Sequence, residues 1–225
     1  MSARRLRGVP ARRLRLGVLA SGNGSNLQAI LDACAAGRLD ADVAVVVSDK
    51  RDARALERAR FAGVKAVHLD AGGMEREAHE RLVAAELDAA GCEVVCLAGY
   101  MRLLTPWFVR KYHGRLLNIH PSLLPAFRGM HAARQAIEAG VKVAGVTVHF
   151  VDEEVDAGPI LLQAAIPIDE GDTEDSLVER IHAVEHRIYP AAIQLLAEGR
   201  VRLEGRRVRI DGGNTLTGTV GPEGR

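Results

Sequence analysis

Short apolar runs alternate with amphipathic stretches along most of the chain. Runs rich in Val, Leu and Ile at residues 16–20, 43–48, 66–69, 94–98 and 116–119 have the length and side-chain type of buried strands. Between them, residues 26–36, 53–62, 75–90 and 106–112 carry helical periodicity or helix-forming composition. Strand and helix in alternation is the pattern of a parallel sheet with crossover helices. The expected architecture is therefore α/β, a single doubly wound, mostly parallel sheet with helices on both faces.

The pattern changes after Ala139. Residues 143–151 and 160–168 are two β-rich runs joined by a segment too short for a crossover helix, which predicts an antiparallel hairpin. Asp172-Thr173-Glu174-Asp175 is a capping entry to a helix that runs to about Glu198, before Gly199. Residues 201–203 and 208–210 flank Gly205 and suggest a small terminal hairpin. At 225 residues the chain suits one domain, placed at 14–211, with a basic N-terminal overhang at 1–13 and a flexible Gly- and Thr-rich tail at 212–225.

Charge narrows the partners. The net charge is +1, but six arginines lie within the first 15 residues, and without them 24 basic residues face 29 acidic ones. A net-acidic body is unsuited to a broad nucleic-acid surface. No apolar run approaches the roughly 18 residues of a membrane span, and the basic head lacks the apolar stretch of a secretory signal. The 3 cysteines have neither zinc-ligand nor redox-pair spacing, so they read as reduced core residues of a cytoplasmic protein.

Three segments offer chemistry. Ser21-Gly22-Asn23-Gly24-Ser25-Asn26-Leu27 links the first strand to the first helix. Its glycines permit close backbone approach, and the helix start favours an anion. Leu27 stands where a dinucleotide fingerprint needs its third glycine, and no Gly-Lys-Ser/Thr ending is present. The loop suits one phosphate, held also by the Ser25 hydroxyl and the Asn26 amide, or else it is a plain turn. In Leu117-Asn118-Ile119-His120-Pro121-Ser122-Leu123-Leu124-Pro125, residues two apart share a strand face, so Asn118 and His120 project together at the carboxyl end of the sheet. An amide donor beside an imidazole stabilises an oxyanion and moves a proton, although a lone His after a strand is also an ordinary structural residue. Asp156, in the acidic segment between the hairpin strands, would orient the His120 ring and hold a water, or simply be solvated. The remaining histidines show no ligand spacing, so no metal is expected.

Together with Leu97-Ala98-Gly99-Tyr100-Met101-Arg102 and Asp156-Ala157-Gly158-Pro159-Ile160, these segments resemble, in order and spacing, the folate-dependent formyltransferases, and among them the phosphoribosylglycinamide formyltransferase family. The resemblance implies transfer of a formyl group from the cosubstrate 10-formyltetrahydrofolate to the amine of 5-phosphoribosylglycinamide in purine synthesis, without a metal. By the same resemblance, Asn118, His120 and Asp156 are catalytic. Gly24, Ser25 and Asn26 take the substrate phosphate, and Glu185 takes its sugar or glycinamide end. Arg76, Met101, Arg102, Leu103 and Leu104 contact the folate, and His182 matches a variable polar position near the nucleotide. A formyltetrahydrofolate hydrolase and a non-catalytic nucleotide-binding module are the alternatives. The sequence leaves a homodimer open.

Overall fold

The computed structural model describes residues 13–213, so residues 1–12 of the basic head and 214–225 of the tail lie outside the described residues. The elements run β1 (Leu14–Leu19), α1 (Ser25–Ala35), β2 (Ala41–Ser48), α2 (Arg54–Phe61), β3 (Lys65–His68), α3 (Arg76–Ala89), β4 (Val94–Leu97), α4 (Pro106–Lys111), β5 (Leu116–His120), α5 (Ala132–Glu138), β6 (Val143–Phe150), β7 (Ile160–Pro167), α6 (Glu174–Ala197), β8 (Val201–Glu204) and β9 (Arg207–Ile210). Seven strands form one sheet in the order β3-β2-β1-β4-β5-β6-β7, and β8 and β9 form a separate antiparallel pair. Pairing is parallel from β3 to β5 and antiparallel from β5 to β7. The expected doubly wound sheet with an antiparallel excursion is what forms.

Strand alternation divides the core between two faces. Leu16, Val18 and Ala20 pack beneath α1, α2 and α6, whereas Leu19, Val45 and Val47 pack beneath α3 and α4. Because both faces are covered, the strands read as continuous apolar runs instead of strict alternation. The order in which successive strands are added reverses between the parallel neighbours β1 and β4, which opens a crevice at their carboxyl ends. This is where open α/β sheets bind ligands.

Two departures from the expected elements have local causes. The first strand starts at Leu14 because Arg13 is docked, its guanidinium donating to the carbonyls of Cys34 and Leu39 at 3.1 and 3.0 Å. Arg13, counted above with the overhang, thus belongs to the fold. The short α5 was not anticipated. It spans only 7 residues, its N-cap His131 has φ 60° and supplies no side-chain cap, so it is held by burying Ala132, Ala133 and Ala136. By contrast α6 has the expected entry: Thr173 accepts from the Ser176 N–H, and Ser176 Oγ accepts from the Thr173 N–H.

Candidate active site

The amide and the imidazole come from the last turn of the sheet. On β5, Leu117 and Ile119 point into the core beneath α1 and α6, so Asn118 and His120 share the opposite face. Pro121 ends the strand, and the following segment is pinned from β6: Thr147 Oγ1 donates to the Ser122 carbonyl at 2.6 Å and accepts from the Leu124 N–H at 3.0 Å. The segment then turns back over β5, and the Phe127 carbonyl accepts from His120 Nε2 at 2.9 Å.

Asp156 arrives from the β6–β7 connection. Gly158 allows the return, since a Cβ there would lie 1.8 Å from the Phe150 carbonyl oxygen. Asp156 has φ 50°, a conformation Asp tolerates better than most side chains. Its Oδ2 accepts from the Gly129 N–H at 2.9 Å and lies 3.4 Å from His120 Nδ1. Both His120 nitrogens thus face oxygen acceptors.

A fourth side chain completes the cluster and was not singled out in the sequence. The antiparallel β5–β6 register sets His149 directly opposite Asn118. Its Nδ1 donates to the Phe150 carbonyl at 2.9 Å, which leaves the Nε2 lone pair to accept from Asn118 Nδ2 at 3.3 Å. Burial holds the His149 pKa below the usual histidine value despite the nearby Asp156 carboxylate, so the ring is held neutral. Spacing within either segment gives no sign of this contact; only the register produces it.

The Gly-rich loop follows β1 at the same edge. Gly24 has φ 71°, and a Cβ there would stand 2.8 Å from both Cα and Cβ of Ala55. Its glycine is therefore required by packing against α2, in addition to any ligand. Arg58 of α2 fixes the loop, donating through Nε to the Asn23 carbonyl at 2.8 Å, through Nη2 to Asn23 Oδ1 at 3.2 Å and through Nη1 to Gln28 Oε1 at 3.1 Å. No side chain caps α1, so its first-turn N–H groups are available to an anion. Cavities of about 550 and 370 Å³ flank the loop and carry Lys50, Arg51 and Arg54 on one side and Arg38, Arg58 and His186 on the other.

Asn26 Nδ2 donates to Glu185 Oε2 at 2.8 Å, and its Oδ1 is buried without a partner among the described residues. Burial raises the Glu185 pKa, although the Asn26 hydrogen bond and His182 act in the opposite sense. His182 is exposed and stacks on His186 at 6.2 Å between ring centres.

On the other side of the crevice, Met101 and Leu103 are 62% and 58% exposed, unusual for apolar side chains and suited to covering a ring system. Arg102 and Leu104 are half-buried, and Arg76 is exposed at the start of α3. Three residues absent from the expected set hold this segment. Ser21 Oγ accepts from the Met101 N–H at 2.9 Å and donates to Asp49 Oδ1 at 2.6 Å. Glu80, one turn along α3 from Arg76, accepts from the Thr105 N–H at 2.8 Å and from its hydroxyl.

Among the described residues, no group of three His, Cys, Asp or Glu side chains is placed to hold a metal, and no helix is long and apolar enough to cross a membrane. A doubly wound sheet with an anion-type loop after β1 and an amide, imidazole and carboxylate cluster at the carboxyl end of β5 has the layout of a small-molecule group-transfer enzyme. The chain belongs to the formyl transferase family, which it matches over residues 14–193. It is 48% identical over 196 residues to the phosphoribosylglycinamide formyltransferase of Escherichia coli K12, covering 87% of this chain and 92% of that protein. It is 45% identical to the trifunctional purine biosynthetic protein adenosine-3 of Bos taurus across 87% of this chain but only 19% of that much longer protein. The crystal structure of glycinamide ribonucleotide transformylase 1 from Symbiobacterium toebii superposes with a TM-score of 0.87 at 57% identity, covering 93% of this chain and 99% of that one.

Proposed function

We propose that this protein transfers the formyl group of 10-formyltetrahydrofolate to the amine of 5-phosphoribosylglycinamide, a step of purine synthesis. The observation that carries the reading is the convergence of Asn118 and His120 of β5 with Asp156 of the β6–β7 connection, on the same edge as an anion-type loop. The full-length bacterial relative bears the name of this activity, and the bovine relative is named for the pathway.

On this reading the phosphate sits against the backbone at Gly24, Ser25 and Asn26, and Glu185 receives the sugar or glycinamide end. The folate lies along Met101, Arg102, Leu103 and Leu104, with Arg76 at its acidic end. The substrate amine attacks the formyl carbon, so a C–N bond forms and the carbonyl oxygen becomes an oxyanion. Asn118 donates to that oxyanion through its amide, held in place by the neutral His149. His120 donates to the same oxyanion through a ring N–H, oriented by Asp156. His120 Nε2 donates to the Phe127 carbonyl at 2.9 Å in the free protein, and the formyl oxygen would take that carbonyl's place as acceptor. The proton leaving the amine passes through water held at Asp156 to the departing folate nitrogen as its C–N bond breaks.

The test is incubation with 10-formyltetrahydrofolate, with and without 5-phosphoribosylglycinamide. Tetrahydrofolate release that depends on the amine is expected. Release that is indifferent to it would identify a hydrolase, and no release would leave a binding module.

A further inference from the structure

A cavity of about 450 Å³ has Asp156 in its lining. Its walls come from the segment after β5, the start of β7 and the β8–β9 hairpin, so it is separate from the Gly-rich loop and from the Met101–Leu104 segment. Leu124, Pro125, Ile160 and Val208 give it an apolar surface, and Arg128, Arg206 and Arg207 give it three guanidinium groups.

The charges there are unequally engaged. Arg128 pairs with the exposed Glu154 at 2.7 Å, and Arg206 donates to the Ala157 carbonyl at 2.7 Å. Beyond its place in the β8–β9 ladder, Arg207 has no side-chain hydrogen bond or ion pair among the described residues. Asp156 is the single carboxylate in the lining, and its Oδ2 is directed to Gly129 and His120. The cavity therefore presents net positive charge beside an apolar wall. The size falls within the usual range for small-molecule sites. Guanidinium groups suit phosphate by paired donors and suit planar rings by stacking.

From this we infer a second ligand site, for a nucleoside monophosphate, with the base against Leu124, Pro125, Ile160 and Val208 and the phosphate on Arg207 and Arg128. The ligand would touch the two segments that hold the His120–Asp156 pair. The Phe127 carbonyl and the Gly129 N–H belong to one, and Ala157 and Gly158 to the other.

Isothermal titration of the full chain with adenosine 5′-monophosphate is expected to show saturable binding. Arg207→Glu should weaken it at least tenfold while leaving formyl transfer unchanged, because Arg207 lies outside the proposed catalytic and substrate-binding set. Ser25→Ala, which alters the proposed substrate-phosphate loop, should leave this binding intact. Adenosine and ribose 5-phosphate, each lacking one half of the recognised chemistry, should bind at least tenfold more weakly. Absence of binding overturns the site. Binding that survives Arg207→Glu but is lost in Ser25→Ala places the nucleotide at the Gly-rich loop and overturns it equally. Equal binding of ribose 5-phosphate removes the role of the apolar wall. None of these outcomes depends on whether the catalysed reaction is transfer or hydrolysis.

Discussion

Asp156 Oδ2 and His120 Nδ1 stand 3.4 Å apart, and the same carboxylate oxygen accepts the Gly129 N–H at 2.9 Å. The carboxylate is thereby fixed by the backbone of the segment whose Phe127 carbonyl holds the other ring nitrogen. His120 is gripped at both ends, so its orientation depends on Asp156 as a unit with that segment. His120→Ala is expected to lower turnover by about 10²- to 10⁴-fold, as loss of a general acid–base group does. Asp156→Asn should be similarly damaging, and the double variant should be little worse than either single one. Multiplicative losses in steady-state kinetics would show that the two act independently.

His149 makes a prediction about Asn118. With its Nε2 lone pair accepting from the Asn118 amide, it fixes which edge of that amide faces the site. His149→Phe keeps a ring but removes the acceptor, so turnover should fall with little change in the KM of either substrate. Its depressed pKa also has a stability consequence. The folded state binds fewer protons than the unfolded state, so His149 disfavours folding progressively as pH drops through the ordinary histidine value toward the folded one. The wild type should lose thermal stability across that window more steeply than His149→Phe, a difference that melting curves at several pH values would measure.

Glu185 should show the opposite dependence. Its pKa is raised in the fold, so its contribution to stability is fully present below the unfolded value and is lost as pH rises through the folded one. Glu185→Gln can still accept from Asn26 and removes the buried charge. The variant should therefore melt higher at neutral pH, with the advantage disappearing as pH falls to the ordinary glutamate value, while binding 5-phosphoribosylglycinamide more weakly. A destabilised variant at neutral pH would mean that the charge itself supports the fold.

Gly24 and Arg58 distinguish building the loop from using it. Gly24→Val forces a branched side chain into positive φ and against Ala55, which should destabilise the protein by about 1–3 kcal/mol and damage every activity together. Arg58→Leu removes three donors to Asn23 and Gln28 without entering the core. It should raise the KM for the phosphorylated acceptor several-fold while leaving the folate KM unchanged. Acceptor lacking the phosphate should respond less to this substitution, because the loop no longer has a phosphate to position. Equal sensitivity of the two acceptors would detach Arg58 from phosphate recognition.

Much of the fold was legible in the chain because its strands are buried on both faces. Runs such as 43–47 and 94–98 are apolar without interruption, and the stretches between them keep helical periodicity. The capping entry Asp172-Thr173-Glu174-Asp175 marked the start of α6. Asn118 and His120 could be paired because the two-residue period of a strand is local. The phosphate-type loop and Asp156 were marked by composition and resemblance. Helix α5 left no comparable mark, since burial of three alanines, and not a cap or a long periodic pattern, holds it in place.

Tertiary structure decided what those residues touch. The β5–β6 register set His149 against Asn118, although the strand of His149 was expected only as half of a hairpin with β7. The packing of α6 on α1 turned Asn26 toward Glu185, and the approach of α2 placed Ala55 beneath Gly24 and Arg58 on Asn23. Strand and helix periods follow from neighbouring residues and the backbone's few allowed conformations, so the sequence by itself determined the elements and the direction in which Asn118 and His120 point. Contacts between distant segments depend on sheet order, register and the volume of the helices laid over the sheet, so the fold as a whole determined the environment of each of these side chains.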